Sequence, residues 1–466
     1  MAFTFTPLNQ SWIEPASEFV NSQFPEAVAT LGKLVKIPGI AWESFDSNSL
    51  DRSAAAVAAE LEALQMFDTV EIRRSAKPDG ELGAPAIVAR RAGASDAPHV
   101  LLYAHHDVQP PGARELWKTE PFEATLIGDR LFGRGASDDK SGIITHLYSL
   151  KTLKKLASSL RLGITVFIEG EEEAGSESFP NFLRENQADL AADLIIVADS
   201  GNWSEDVPAL TTSLRAMVSQ TFTIRTLDHA VHSGMYGGPL PDATGAMIKL
   251  LATLTDEQGN VAIAGLDSIP VDGPDLSDAE FGVAAGLLPG VKRLGTKSAT
   301  QQIWGEPAVT VIGMDIPQVD VSSNTAQPES RARISLRLAP SQDPDTGLEL
   351  LRQHISAHAP EGAVVEFGRS EKGPGYLAKN GWAAPMAHEA FGIAWQNPSV
   401  NIGIGGSIPF ISEFAEQFPN AEILVTGVEE PDSRAHSPNE SQHLPTLRRA
   451  ILAQALMLLN GNEMTR

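Results

Sequence analysis

Three adjacent glutamates, Glu171, Glu172 and Glu173, stand in the stretch EGEEEAGS directly after the apolar run GITVFI. That run is predicted to form a buried strand because it is rich in β-branched and aromatic residues. Carboxylates this close together raise one another's pKa, so the glutamates are either solvated or neutralised by bound cations. Ligands commonly bind at the carboxyl ends of strands in α/β sheets, which favours a functional site here.

An apolar strand followed by groups that bind metals recurs at two more places. The run HVLLYA leads into His105, His106 and Asp107, and the run LIIVA leads into Asp199. A histidine at a strand end can be purely structural. The His105-x-Asp107 spacing, however, also lets a carboxylate orient an imidazole through its second ring nitrogen.

Asp138 and Asp139 directly precede a predicted helix, residues 140–156. Aspartate is favoured at helix N-caps, where it also complements the helix dipole. One aspartate is enough for a cap, so the pair leaves a second carboxylate for another role.

Together with His436 in the later stretch SRAHSPNE, these placements supply five oxygen and nitrogen donors suited to zinc or manganese. They are His105, Asp138, Glu173, Asp199 and His436. Two divalent ions that share one bridging carboxylate need about two further protein ligands each, which matches this set. A hydrolytic site also needs a base that is not itself a ligand. Glu172, beside Glu173, is the candidate.

Composition narrows the classes of partner and of metal ligand. The chain has 466 residues, 42% of them hydrophobic, and its net charge is −24, which disfavours nucleic acid and anionic membranes. Because it contains no cysteine, any metal must be held by His, Asp and Glu. The N-terminus shows no secretory signal pattern and no apolar run is long enough for a membrane span, so we expect a cytoplasmic protein.

The pattern of elements predicts an α/β fold with an inserted domain. A first series of predicted strands and helices extends to about residue 208, and a similar pattern of predicted elements resumes at about residue 382. Between them, residues 209–381 follow the order β-α-β-β-α-β, which predicts a ferredoxin-like insert. The Gly- and Pro-rich segment 256–302 receives no assignment.

Seven motifs together resemble one known family. They are HHD at 105–107, GRGASDDKSG at 133–142, EGEEEAGS at 169–176, IVADSGNW at 196–203, VHSG at 231–234, GGSIP at 405–409 and AHSPNE at 435–440. Over nearly the whole chain they are similar to the dinuclear-zinc metallopeptidases that include carnosinase, cytosolic nonspecific dipeptidase, aminoacylase and succinyl-diaminopimelate desuccinylase. The block at 117–142 is closest to the carnosinase-like dipeptidase branch.

The resemblance implies a fold and a metal centre. A catalytic domain with a mixed central sheet flanked by helices would comprise 1–208 and 382–466, and 209–381 would be a lid and dimerisation domain. Two divalent ions per subunit are implied, with zinc first and manganese or cobalt as alternatives. His105 and Asp199 would bind one ion, Glu173 and His436 the other, and Asp138 would bridge them across a cis Asp138–Asp139 peptide bond.

The resemblance also assigns roles beyond the ligands. Asp107 would orient His105, and Glu172 would act as general base and then as general acid. His232 would act on the active site of the partner subunit in a homodimer. The C-terminal carboxylate of the peptide substrate would be held by Arg337, Gly406 and Ser407. Without the resemblance, His232 is an ordinary surface histidine, Arg337 a solvated strand charge and Ser407 a turn residue.

The expected function is hydrolysis of the amide bond of dipeptides or short peptides. Carnosinase-like relatives carry Arg-Glu before GGSIP, whereas this chain has Gly403 and Ile404, and no histidine lies between His358 and His388. These departures keep open the deacylation or desuccinylation of N-acyl amino acids. A binding protein without catalytic activity is the remaining alternative.

Overall fold

The structure is a computed structural model that describes residues 3–379, 381–406 and 408–466. The strands are β1 Thr69–Arg73, β2 Ala86–Arg91, β3 His99–His105, β4 Thr125–Ile127, β5 Arg130–Phe132, β6 Gly163–Glu169, β7 Leu194–Val197, β8 Ala209–Leu214, β9 Ala216–Arg225, β10 Val231–His232, β11 Ala308–Asp315, β12 Thr325–Ala326, β13 Glu329–Leu338, β14 Val364–Gly373, β15 Tyr376–Leu377, β16 Val400–Ile404, β17 Glu422–Val425 and β18 Ser441–His443.

The helices are α1 Ile13–Val35, α2 Asn48–Ala63, α3 Lys140–Leu156, α4 Phe179–Glu185, α5 Gln187–Leu190, α6 Ser233–Tyr236, α7 Ala243–Ala252, α8 Asp278–Ala284, α9 Ala299–Trp304, α10 Pro344–His358, α11 Ala383–Trp395, α12 Pro409–Gln417 and α13 Leu444–Glu463. Within the described residues, none of these helices is both long and apolar enough to cross a membrane.

The chain divides into two compact units. The first comprises Met1–Thr212, Ala378–Ile402 and Glu413–Arg466, and the second comprises Ser213–Leu377 and Gly403–Ser412. The sequence-based division assigned residues 403–412 to the catalytic domain, whereas here they cluster with the second unit.

The first unit is built on a mixed sheet with the strand order β1-β2-β6-β3-β7-β17-β8. Strands β6, β3, β7 and β17 are parallel to their neighbours within this group, and β1, β2 and β8 pair antiparallel. Every residue of β6 is buried, as the continuous apolar run predicted. Because parallel strands end at one edge of the sheet, the segments that follow β3, β6 and β7 are neighbours.

Helices cover both faces of this sheet. Alternate residues of β3 and β6, such as Leu102 and Val166, pack into the core formed with α1, α3, α11 and α13. On the other face Phe167 stacks on Phe182 of α4, with ring centroids 4.9 Å apart. The predicted α/β architecture, a central mixed sheet flanked by helices, is confirmed.

The second unit contains an antiparallel sheet with the order β11-β13-β9-β14. Along β13 buried and less buried residues alternate, and the buried set, including Ile334 and Leu336, packs against α7 and α10 through Leu250 and Leu351. The chain order β9-α7-β11-β13-α10-β14 is the β-α-β-β-α-β order predicted for a ferredoxin-like insert. The unassigned segment 256–302 contains α8 and the start of α9.

A small sheet of the first unit, with the order β18-β5-β4, brings together two distant parts of the sequence. Ser441 pairs with Phe132, and the N–H of Gly133 donates to the carbonyl of Glu440 at 3.0 Å. The stretch that carries His436 therefore lies beside the stretch that carries Asp138.

Candidate metal centre

Neighbouring strand ends set the positions of the donor side chains. His105 is the last residue of β3 and is aligned with Glu169, the last residue of β6, while Tyr103 is aligned with Val197 at the end of β7. Glu173 and Asp199 follow β6 and β7 by a few residues, so all three donors reach the same edge of the sheet.

Asp138 lies between the two imidazoles. Its Oδ1 is 3.0 Å from His105 Nε2, and its Oδ2 is 3.0 Å from His436 Nε2. His105 Nε2 is also 3.8 Å from Asp199 Oδ1, and His436 Nε2 is 3.0 Å from Glu173 Oε2. The structure thus brings together all five donors named from the sequence.

The five residues form two groups of three, each with its donor atoms within 4.8 Å of one another, and Asp138 belongs to both. Burial, followed by the charges of neighbouring acids, raises the pKa of Asp199 well above its usual value. Hydrogen bonds to Asp138 and Glu173 raise the pKa of His436 to about 10. Acids held this close, with oxygen and imidazole donors facing one another, fit two divalent cations.

Asp107 connects the donor His105 to the glutamate run. Its Oδ1 is 3.4 Å from His105 Nδ1, and its backbone carbonyl is 3.1 Å from the same nitrogen. The two carboxylate oxygens also accept the backbone N–H groups of Glu172 and Glu173, at 3.2 and 3.0 Å. Asp107 therefore fixes both an imidazole and the turn that carries the predicted base.

Glu172 begins a single 3-10 turn, Glu172–Ala174, which ends at Gly175 with φ +94°. A positive φ favours glycine, which explains the residue that closes the turn. Burial raises the pKa of Glu172 to about 7, and the charges of Asp107, Asp138 and Glu173 act in the same direction against the opposing effect of His105. A carboxyl with a pKa near neutral can accept and return a proton.

Asp138 and Asp139 have different roles, one as a candidate metal ligand and the other as a helix cap. Asp139 is the N-cap of α3, since its Oδ1 accepts the N–H of Gly142 at 3.1 Å, and its Oδ2 accepts the N–H of His105 at 3.2 Å. A Cβ at Gly142 would lie 2.2 Å from Asp139 Oδ1, so only glycine fits. Asp138 is left to face the imidazoles, and the expected cis Asp138–Asp139 bond is present.

Gln109 is a residue of this centre that the sequence interpretation missed. Its Nε2 donates to Glu173 Oε2 at 2.7 Å. The only sequence signal was its position two residues after Asp107, which is too weak to distinguish it from a loop residue.

The remaining predicted residues belong to the second unit. His232 is exposed in β10, which pairs with β12, and its Nδ1 accepts the N–H of Gly234 at 3.0 Å. Arg337 lies on β13, aligned with Met217 of β9. Gly406 is among the described residues, and Ser407 lies outside them.

Arg215 is a second residue that sequence reasoning did not single out. It is 8% exposed, and it donates from Nε to the carbonyl of Gly405 at 3.0 Å. Burial and the positive charge of Arg337 lower its pKa to about 10. Among the residues that the structure describes, no carboxylate pairs with either guanidinium, and Arg215 places a buried positive charge beside Gly405.

The fold and the donor set together define the class as a metal-dependent hydrolase. The model of Peptidase family M20/M25/M40 matches residues 101–460, and the chain belongs to this family. The family is metal-dependent, and the chain is an enzyme of the metallopeptidase class.

Several known proteins resemble the chain over most of its length. It is 31% identical over 465 residues to the cysteinylglycine-S-conjugate dipeptidase of Corynebacterium striatum, covering 98% of this chain and 97% of that protein. It is 25% identical to the Beta-Ala-His dipeptidase of Rattus norvegicus over 76% of this chain and 75% of that protein. The crystal structure of human carnosine dipeptidase 1 superposes with a TM-score of 0.75 at 21% identity, covering 98% of this chain and 100% of that one, which shows the shared fold.

Proposed function

We propose that the chain hydrolyses the amide bond of dipeptides or short peptides with the help of two divalent cations, zinc in the first place. The observation that carries this proposal is the pair of three-residue donor groups that share Asp138. His105 and Asp199 would hold one cation and Glu173 and His436 the other. A cytoplasmic location, inferred from the sequence, belongs to the same proposal.

When bound, the cations polarise the scissile carbonyl and lower the pKa of a water molecule toward neutrality. Glu172 accepts a proton from the attacking water and later delivers it to the nitrogen of the departing amine. Burial raises the pKa of this carboxyl in the metal-free structure, which favours uptake of a proton from the attacking water. Asp107 holds the backbone of Glu172 and thereby aims its carboxylate.

Two arginines support a substrate with a free C-terminal carboxylate. Arg337 was assigned to that carboxylate, together with Gly406 and Ser407, from the family resemblance. Arg215 adds a buried positive charge beside Gly405, and neither arginine is neutralised by a carboxylate of the described residues. A guanidinium whose charge is not neutralised by a protein carboxylate can bind a substrate carboxylate through charge-assisted hydrogen bonds, which are stronger than those between neutral groups.

The relatives favour peptide hydrolysis over the alternatives. The Corynebacterium striatum and Rattus norvegicus proteins, which match 98% and 76% of this chain, are named dipeptidases. N-acyl amino acid deacylation and desuccinylation rest on Gly403, Ile404 and the missing histidine between His358 and His388, and they are not favoured. A binding role without catalysis leaves Glu172 and the shared Asp138 without a purpose.

A panel of dipeptides, the same dipeptides with blocked N-termini, and N-acyl amino acids tests this function. Zinc-loaded wild-type protein should release free amino acids from the unmodified dipeptides, and the Glu172→Gln protein purified in parallel should not. Mass spectrometry of the products reads the outcome. Release of amino acids from the N-acyl amino acids alone would favour deacylation instead of peptide hydrolysis. Release from none of the compounds would refute the proposal.

The proposal includes a homodimer in which His232 serves the partner subunit's active site. Its Nδ1 accepts the N–H of Gly234, which leaves the proton on Nε2 as a donor. A donor placed at a tetrahedral oxyanion contributes about 10²–10³ in rate.

Mixing two inactive variants tests the assignment of His232. His232→Ala and Glu172→Gln chains should each be nearly inactive, and their mixture should recover about one competent site in each mixed dimer. Native mass spectrometry confirms that mixed dimers form. If they form without activity, His232 does not act across the dimer.

A further inference from the structure

Glu440 is a fully buried carboxylate to which the proposed reaction assigns no part. It has 0% relative exposure and lies four residues after His436. Its backbone carbonyl accepts the N–H of Gly133, and the next residue, Ser441, pairs with Phe132. The side chain therefore enters the first unit directly beside the loop that leads to Asp138.

Both oxygens of Glu440 are occupied by donors of that loop. Oε1 accepts the backbone N–H groups of Ser137 and Asp138 at 3.0 and 3.1 Å. Oε2 accepts the N–H of Gly135 at 3.0 Å and Nη1 of Arg134 at 2.5 Å. Four donors converge on one carboxylate, and three of them are backbone groups of residues 135–138.

Only a carboxylate fits this arrangement. A glutamine offers one acceptor oxygen, and its amide nitrogen would face N–H donors. Arg134 supplies the compensating charge, since it is 1% exposed and packs over the ring of Trp117. The loop geometry consequently depends on a residue from the segment that also carries His436.

We propose that Glu440 is a positioning residue that holds loop 135–138 so that the two oxygens of Asp138 face His105 and His436. Glu440 fastens the Asp138 segment to the His436 segment, and it thereby sets the spacing of the two donor groups. This inference rests on the proposed function, in which Asp138 is shared by two cations.

The competing explanation is an ordinary buried ion pair that stabilises the fold alone. Glu430 offers a matched control. It is 5% exposed, lies with Glu440 in the segment between β17 and β18, and pairs with Arg130 at 2.7 Å. Its other partners are Asp432 and Ser433, and it makes no hydrogen bond to loop 135–138 among the described residues. Glu430→Gln removes a buried charge without touching the loop.

Stepwise titration of metal-free protein with Zn²⁺ by calorimetry compares Glu440→Gln with Glu430→Gln. We expect the second ion to bind at least tenfold more weakly in Glu440→Gln, in the range found for groups that orient metal ligands. In Glu430→Gln both steps should stay within about threefold of wild type. Glu440→Asp keeps two acceptor oxygens on a shorter side chain and should give an intermediate loss.

Hydrogen exchange of the metal-free variants is the second readout. A peptide covering 133–142 should exchange at least tenfold faster in Glu440→Gln than in Glu430→Gln, because the N–H groups of Gly135, Ser137 and Asp138 lose their acceptor. Equal zinc binding and equal exchange in the two variants would overturn the proposal.

Hydrogen exchange of the metal-free variants tests the role of Glu440 independently of the proposed function. If wild type binds fewer than two zinc ions, the proposed function fails, and the exchange comparison alone decides the role of Glu440. If Glu440→Gln does not fold, Glu440→Asp and the charge-balanced pair Arg134→Gln with Glu440→Gln carry the same comparison. Loop exchange in both no faster than in Glu430→Gln would again overturn the proposal.

Discussion

The two histidines of the candidate centre are held in different ways. His105 is 0% exposed, ends a strand in the middle of the sheet and is fixed by Asp107 and Asp139. His436 has a side chain that is 57% exposed, and its backbone has φ +61° in a loop where Arg434 and Asn439 also have positive φ. The His105 half is therefore a rigid part of the sheet, whereas the His436 half depends on a loop.

This difference implies that the donor atoms of the His105 half are already in position before a cation binds. We expect the cation between His105 and Asp199 to bind more tightly and exchange more slowly than the one between Glu173 and His436. Donors fixed by the fold lose less conformational freedom on binding.

The largest effect should come from a residue that is a ligand in neither half. Glu172→Gln should lower kcat/KM by about 10²–10⁴, because an amide cannot accept the proton of the attacking water. Metal content by elemental analysis should stay at the wild-type value, which separates proton transfer from metal binding. Activity within tenfold of wild type on the best dipeptide would show that another group is the base.

Removing one histidine at a time addresses the comparison directly. His436→Ala should keep one zinc ion, bound with an affinity within about tenfold of wild type. His105→Ala should weaken the binding of both ions by more than the 10–100-fold that is typical when a residue hydrogen-bonded to a metal ligand is lost. Equilibrium dialysis at controlled free zinc measures both. Equal losses in the two variants would mean that the halves are equivalent.

Substituting residues that hydrogen-bond to the metal ligands should also affect the two halves of the centre differently, with smaller changes in affinity. Gln109→Ala removes a hydrogen bond to Glu173 alone and should weaken the His436-side ion by about tenfold. Asp107→Asn disturbs His105 and also the turn that carries Glu172 and Glu173, so it should lower the affinity for both ions and the rate by roughly 10–100-fold. Calorimetry measures both affinities in each variant, and a loss of the His105-side ion in Gln109→Ala would contradict the assignment of the halves.

Proton competition should give the smallest effect. The pKa of His436 is raised to about 10 in the metal-free protein, so this imidazole is protonated below that pH and must lose a proton to bind a cation. The affinity of the His436 half should therefore rise by about tenfold per pH unit between pH 6 and 8. Calorimetry in buffers of different ionisation enthalpy counts the released protons, and zero release would contradict this linkage.

Much of the fold follows from patterns within short stretches. The apolar runs 99–104 and 163–168 correspond to β3 and β6, and the helix predicted at 140–156 is α3. The two strands were predictable because burial on both faces demands continuous apolar residues. The helix was predictable because an aspartate cap precedes it. The short strands β4, β5 and β18 were missed, since three residues of mixed polarity carry no periodic signal.

The donors of the candidate centre were predictable for the same reason. His105, Glu173 and Asp199 follow recognisable strands, so their proximity is a consequence of parallel topology. The contacts of Glu440 and Arg215 were not predictable, because their partners are backbone groups that only the folded chain brings near. A single sequence does not show which amides a carboxylate will meet.

The pairing of β18 with β5 has a consequence for biosynthesis. Residues 130–132 and 441–443 are joined only after the roughly three hundred residues between them have been made, and closing so long a loop is slow. A growing chain on the ribosome carries His105 and Asp138 long before His436 emerges. Synthesis must therefore have passed residue 436 before the second donor group can exist. A truncated product ending before that residue carries the strand-end donors without the histidine that completes the group.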